Sequence, residues 1–121
     1  MADPLTEKII GAAIEVHRHL GPGLLESIYE DALCLEFEFQ GIEFERQAMV
    51  RTSYKGRELS AQRVDILVSG EVIVELKSVA KTNEAHYAQV LSYLKATGLK
   101  KGLLINFGES RLVDGVKRLL L

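Results

Sequence analysis

Apolar positions in the first forty residues recur at three- and four-residue steps, and then the period shortens to two. Leu5, Ile9, Ala12, Ala13, Val16 and Leu20 trace one face of a helix. Asp3 and Pro4 suit its start, an aspartate as cap and a proline at the first helical position. Gly21-Pro22-Gly23 ends that helix and turns the chain. A second helix is predicted from Leu24 to Gln40, with Leu25, Ile28, Tyr29, Ala32, Leu33 and Cys34 on a broad apolar face. Gly41 stops it.

The middle of the chain reads as strands. Ile42 to Tyr54 forms one, diluted by charges; Lys55-Gly56 turns it, and Arg57 to Ala61 returns. Val64 to Val68 and Val72 to Lys77 are β-branched and apolar, parted by Ser69-Gly70-Glu71. Asn83 caps a third helix that runs to Thr97-Gly98. Lys101 to Phe107 reads as a buried strand. The tail, Leu112 to Leu121, suits a strand or a helix, with Gly115 favouring the strand. Two helices, a strand-rich middle, a helix and further strand predict a single α/β domain over residues 1–121, a mixed β-sheet flanked by helices.

Composition narrows the function classes. The 121 residues are 47% hydrophobic and 26% charged, which fits one globular core. Cys34 is the only cysteine, so no intrachain disulfide or multi-cysteine metal site is available. No signal peptide or membrane-length apolar run is evident, and a cytoplasmic protein without membrane contact is expected. The net charge of −2 runs against the basic excess usual in nucleic-acid binders. Basic residues do gather locally, as Lys55, Arg57 and Arg63, and as Lys95, Lys100 and Lys101.

Asp65, Glu75 and Lys77 stand inside the two most apolar strands. A charge there needs a partner, because burying one alone is costly. Alternation puts Glu75 and Lys77 on the face of Ile73, and Asp65 on the face of Leu67. Register decides whether the two sets meet. A two-residue turn at Ser69-Gly70 sets Asp65 against Val74, on the wrong face. A three-residue connection pairs Val68 with Val72 and sets Asp65 across from Glu75, with Cβ atoms roughly 4.5–5.5 Å apart. Two carboxylates at that spacing suit one hard cation such as Mg²⁺. The plainer alternative is a solvent-facing Glu75–Lys77 pair, with Asp65 merely opening its strand.

Two further groups carry the same double reading. Gln89 and Tyr93 lie four apart on one helix face, either at a site or at the edge of the core. Gly23-Leu-Leu-Glu26-Ser-Ile-Tyr29 places a carboxylate in the first turn of a helix, where it complements the dipole locally, with Tyr29 as a core aromatic. Together with Leu5-Thr-Glu-Lys-Ile-Ile-Gly11, Gly21-Pro-Gly-Leu-Leu-Glu-Ser27, Val74-Glu-Leu-Lys77 and Gly102-Leu-Leu-Ile-Asn-Phe107, these residues resemble the GxxExxY family, within the PD-(D/E)xK nuclease superfamily. The likeness covers nearly the whole chain. Asp65 matches the upstream acid, Glu75-Leu-Lys77 the (D/E)xK element, Glu26 the acid of the first core helix, and Gln89-x-x-x-Tyr93 the helix motif of the RecB-like branch. Val64 stands where the superfamily name has proline.

The resemblance implies a restriction-endonuclease-like core and hydrolysis of nucleic-acid phosphodiesters with Mg²⁺ or Mn²⁺. Metal ligands are then Asp65, Glu75, the Leu76 carbonyl and Glu26. Lys77 orients the attacking water, and Gln89 positions metal or substrate. Nucleic-acid contacts are expected from Tyr93, His86, Arg63 and Lys55, with DNA favoured over RNA. His17 and His86 are weaker candidates for the groove, more often structural or solvated. A catalytically silent module binding nucleic acid or a protein partner is the competing reading. Small size and the apolar Leu119-Leu120-Leu121 suggest a homodimer.

Overall fold

The computed structural model describes residues 3–121. Helices α1 (Pro4–Leu20) and α2 (Glu26–Gln40) come first. Strand β1 (Phe44–Val50), a small hairpin of β2 (Ser53–Tyr54) and β3 (Arg57–Glu58), β4 (Gln62–Val68) and β5 (Val72–Lys77) follow. Then come α3 (Glu84–Thr97), β6 (Lys101–Asn106), a 3-10 turn (Leu112–Gly115) and β7 (Val116–Leu120). Five strands make one sheet in the order β1-β4-β5-β6-β7, parallel only between β5 and β6, while β2 and β3 pair apart from it.

Helices cover both faces. On one, α1 and α2 bury Ile9, Ala13, Leu33 and Phe37 against Val72, Val74, Leu76, Leu103 and Ile105. On the other, α3 lays Val90 and Leu94 over Ile73 and Leu104. The expected mixed sheet flanked by helices is therefore present. Asp3 caps α1 as expected: its carboxylate accepts from the Thr6 amide at 3.0 Å, and Lys101 donates to it at 2.9 Å. Cys34 is buried, and loss of solvent pushes its thiol up to about 12.

Several boundaries differ from expectation. Helix α2 starts at Glu26, because Leu24 and Leu25 belong to the preceding loop. The long strand predicted for Ile42 to Tyr54 breaks after Val50. There Thr52 turns inward, donating its hydroxyl to the Ser60 carbonyl at 2.6 Å and closing the base of the β2–β3 hairpin. The ambiguous tail is both things, a turn of 3-10 helix and then an edge strand. In that strand Leu119 is buried whereas Leu120, and Leu121 just beyond it, are exposed.

Candidate active site

Strands β4 and β5 join through Ser69-Gly70-Glu71, and both Ser69 and Gly70 adopt positive φ. Val68 pairs with Val72, Leu67 with Ile73 and Ile66 with Val74. This is the three-residue register, and its next step brings Asp65 to Glu75. Here the ladder opens. The Asp65 carboxylate turns toward β5 and accepts the Leu76 amide at 2.9 Å, while the Asp65 amide donates to the Glu75 carboxylate at 3.2 Å.

The opening has a partner on the other side of β4. Pairing between β1 and β4 runs from Phe44–Val68 to Arg46–Ile66 and resumes at Ala48–Val64, skipping the Gln47–Asp65 step. Gln47 holds φ at +46°, in the left-handed region. Beyond that step the strands change face. Ile66 and Val68 pack under α1 and α2, yet Val64 and Ala48 pack under α3. An uninterrupted strand keeps positions 64, 66 and 68 on one side. The local reversal is what frees Asp65 to address β5 rather than its own strand's neighbours.

Glu26 reaches the same place from α2. Gly23 has φ of +101°, a conformation that glycine adopts without strain. The Tyr29 hydroxyl donates to the Gly21 carbonyl and accepts from the Leu24 amide at 3.1 Å. Its ring is fully buried and stacks on Phe107 at 4.4 Å between centroids. The loop that delivers Glu26 is thus clamped by a side chain one turn further on. Ser78, just past Lys77, donates its hydroxyl to the Leu24 carbonyl and ties the loop to the end of β5.

That end is fixed from below as well. Fully buried Asn106 accepts from the Val79 and Gly108 amides, each at 3.0 Å, and donates to the Val79 carbonyl at 2.9 Å. The Phe107 amide donates to the Lys77 carbonyl at 2.8 Å. Sequence reasoning misses both roles, although an asparagine inside a buried apolar strand is itself a signal.

Asp65, Glu75, Lys77, Glu26, Gln89, Tyr93 and Arg63 all line one polar cavity of about 390 Å³. Gln47 and Gln62 line it too, and no motif in the sequence marks them. Leu76 meets the site through its backbone. Two residues expected to contact nucleic acid do not line the cavity, although His86 lies close enough to Glu26 to act on its carboxyl. His86 stands at the third position of α3, where its ring nitrogen accepts the Asn83 amide at 3.1 Å in a capping box. Lys55 sits at the β2–β3 turn, outside the cavity, with its ammonium 5.4 Å from the Tyr54 ring centre. His17 is remote and structural: it stacks on Phe107 and donates to the Glu109 carbonyl at 2.9 Å.

The electrostatics of the site are set first by burial. Glu75 is only 6% exposed. Burial, followed by the adjoining Asp65 carboxylate, holds its carboxyl well above the usual range, and Lys77 opposes the shift. Burial also raises Glu26, against the pull of Lys77. Tyr93 is raised by burial and then by Glu75 and Asp65. Among the described residues neither Asp65 nor Glu75 belongs to an ion pair. No three acidic, histidine or cysteine side chains among them form a ready-made metal cage. Two carboxylates beside open volume match Mg²⁺, which takes one or two carboxylates and keeps waters and substrate oxygens for its remaining positions. The set does not match a closed zinc site.

A family model described as the PD-(D/E)XK nuclease superfamily matches residues 3–119. No curated protein and no solved structure gave a match. Among the described residues, no helix is long and apolar enough to cross a membrane.

Proposed function

Because the chain belongs to the PD-(D/E)XK nuclease superfamily, we propose that it is a metal-dependent nuclease that hydrolyses nucleic-acid phosphodiester bonds. The observation that carries this reading is the convergence of Asp65, Glu75, Lys77, Glu26 and Gln89 on one cavity from separate elements of the fold. It is supported by the adjacency of the Asp65 and Glu75 carboxyl groups beside open volume.

Asp65 and Glu75 would hold the cation, and Glu26 faces the same cavity from α2. The Leu76 carbonyl is suited to join them. N–H and C=O of one residue in an extended strand project to the same side, and the Leu76 N–H already points at Asp65. A Mg²⁺ held there would polarise the phosphoryl oxygen and lower the pKa of a water. Lys77 orients the attacking water and stabilises negative charge on the phosphorus in the transition state. Gln89 hydrogen-bonds the phosphate or a water from α3. Tyr93, half-buried beside the carboxylates, shapes the wall rather than reacting.

Lys77→Ala tests the assignment. The variant is expected to keep its fold and its Mg²⁺ affinity by titration calorimetry while cleavage of labelled DNA or RNA falls at least ~100-fold. Asp65→Asn is expected to lose Mg²⁺ binding as well. Cleavage by Lys77→Ala at the wild-type rate removes the lysine from the mechanism. A wild-type protein that binds nucleic acid but never cleaves it with Mg²⁺ or Mn²⁺ is the silent module instead.

A further inference from the structure

We infer that the β2–β3 hairpin is the grip by which the protein holds a nucleic-acid duplex beside the cavity. This rests on the nuclease reading for its substrate class. Residues 51–63 hold four of the 15 basic side chains and one of the 17 acidic ones, a net of +3 in a chain whose total is −2. The four are Arg51, Lys55, Arg57 and Arg63, all exposed. Elsewhere Arg18, Arg46, Lys101 and Arg118 are engaged with carboxylates, but among the described residues none of these four, which lie in or beside the hairpin, is. An acidic protein has therefore concentrated uncommitted positive charge in one short stretch of chain around the hairpin.

Position gives that charge its use. The hairpin leads directly into β4, whose Gln62 and Arg63 line the cavity, and β2 packs on α3, which supplies Gln89 and Tyr93. A phosphate backbone held along the hairpin thus runs toward Asp65 and Glu75. The hairpin is fixed at both its turn and its base. Lys55 and Gly56 both take positive φ in a tight turn, and Thr52 closes the base through the Ser60 carbonyl and the Leu59 amide.

Two features favour a duplex over a single strand. A two-stranded β-ribbon fits the major groove, where phosphates flank it on both sides. Exposed Tyr54 would be the natural base-stacking platform for a single strand, but the Lys55 ammonium already occupies one face of its ring at 5.4 Å from the centre. The occupant that this fits is duplex DNA, because the major groove of an A-form RNA duplex is too deep and narrow for a β-ribbon.

The test measures binding by fluorescence anisotropy in a Lys77→Ala background, so that cleavage does not interfere. The hairpin variant combines Arg51→Gln, Lys55→Asn and Arg57→Gln. Asparagine tolerates the positive φ at the turn and favours it before glycine, so the hairpin is expected to keep its shape. Lys8→Gln, Lys95→Gln and Lys100→Gln together remove the same charge elsewhere as a control. The hairpin variant is expected to bind duplex about tenfold more weakly at low salt. Its plot of log affinity against log salt is expected to be shallower by roughly 2.7, the value for three lost phosphate contacts on B-DNA. The control keeps wild-type affinity and slope. DNA, RNA and single-stranded arms identify the substrate.

Equal losses in hairpin variant and control overturn the proposal, as does tighter binding to single strands than to duplex. If the otherwise wild-type protein cleaves while the hairpin variant binds normally, only the grip is wrong. If the hairpin-dependent binding is found without any cleavage, the hydrolase reading falls and the grip stands. Absence of binding to every nucleic acid removes both.

Discussion

Replacing Tyr29 by Phe isolates what one hydroxyl does for the site. The ring loses nothing: it is fully buried and its stack on Phe107 is unaffected. What goes is the bond from the hydroxyl to the Gly21 carbonyl and the bond it accepts from the Leu24 amide. Gly21 and Leu24 are partly exposed, so water can reach both groups after the change. Two lost bonds with that partial compensation cost about 1–2 kcal/mol, against the ~1–3 kcal/mol of a single fully orphaned buried group. In a domain of this size that lowers Tm by roughly 4–10 °C. Tyr29→Ala, which also empties the ring's volume, is expected to cost about 3–5 kcal/mol.

The activity should fall further than the stability does. The freed segment carries Glu26 into the cavity, and its remaining anchor to β5 is the Ser78 hydroxyl on Leu24. Loosening a group by about an ångström is enough to cost a catalytic site much of its rate. Cleavage by Tyr29→Phe at a temperature where it is fully folded is therefore expected to drop about tenfold, with KM rising less than kcat falls. Chemical denaturation and steady-state cleavage on the same preparation read both effects. A Tyr29→Phe protein with unchanged midpoint and rate refutes the clamp. Unchanged stability with abolished cleavage refutes it differently, by giving the hydroxyl a role in the chemistry.

Other expectations follow from single contacts. Gly108→Ala brings a Cβ to 2.0 Å from the Val79 carbonyl oxygen, and at least about 3 kcal/mol of stability should be lost in urea melts; a near-neutral result means that the turn after β6 rearranges freely. Asp3 is held near 2 by the Thr6 hydroxyl and Lys101, below its ordinary 3.8, so its contribution is complete above 3.8 and disappears as pH falls to about 2. Asp3→Asn, which keeps the cap, should lose that acid-induced part of the melting curve, and an unchanged acid limb contradicts it. The raised Glu75 carboxyl works in the other direction: the native state holds its proton more tightly than the unfolded chain, so ionising it removes stability as pH rises above 4.5. Glu75→Gln should therefore melt no lower than wild type at neutral pH without metal, while only the wild type gains Tm on adding Mg²⁺. A lower metal-free Tm for the variant counts against the cost of ionising this buried carboxyl.

How far the sequence reveals this site depends on which physical rule sets each part. The meeting of Asp65 and Glu75 is legible because strand parity and a three-residue connection leave one register that puts both acids together. The caps at Asp3 and Asn83 are legible for a similar reason, since a short polar side chain before a helix has few other uses. Gln47 is not legible. Nothing about glutamine marks a positive φ, and its effect, the change of face between Ile66 and Val64, looks like ordinary alternation in the string Arg63-Val-Asp-Ile-Leu-Val68. The break at Arg51-Thr52 is hidden likewise, because threonine is a good strand residue and only its hydroxyl's choice of the Ser60 carbonyl turns the chain.

The spacing Gly23-x-x-Glu26-x-x-Tyr29 reads differently once those contacts are seen. As a string it places a glycine, an acid and an aromatic three residues apart, which local helix chemistry alone can explain. In the fold the three residues act differently. Gly23 permits the turn, Tyr29 fastens the turn from within the core, and Glu26 is the group so delivered. Asn106 and Ser78 do for the end of β5 what Tyr29 does for the start of α2. A sheet of five strands has no deep cleft of its own, so carboxylates on neighbouring strands can be held against their mutual repulsion only if the chain segments bearing them are tied at both ends. These buried polar contacts are where that restraint resides. That is why variants at Tyr29, Asn106 and Gly108 are expected to disturb catalysis without touching substrate.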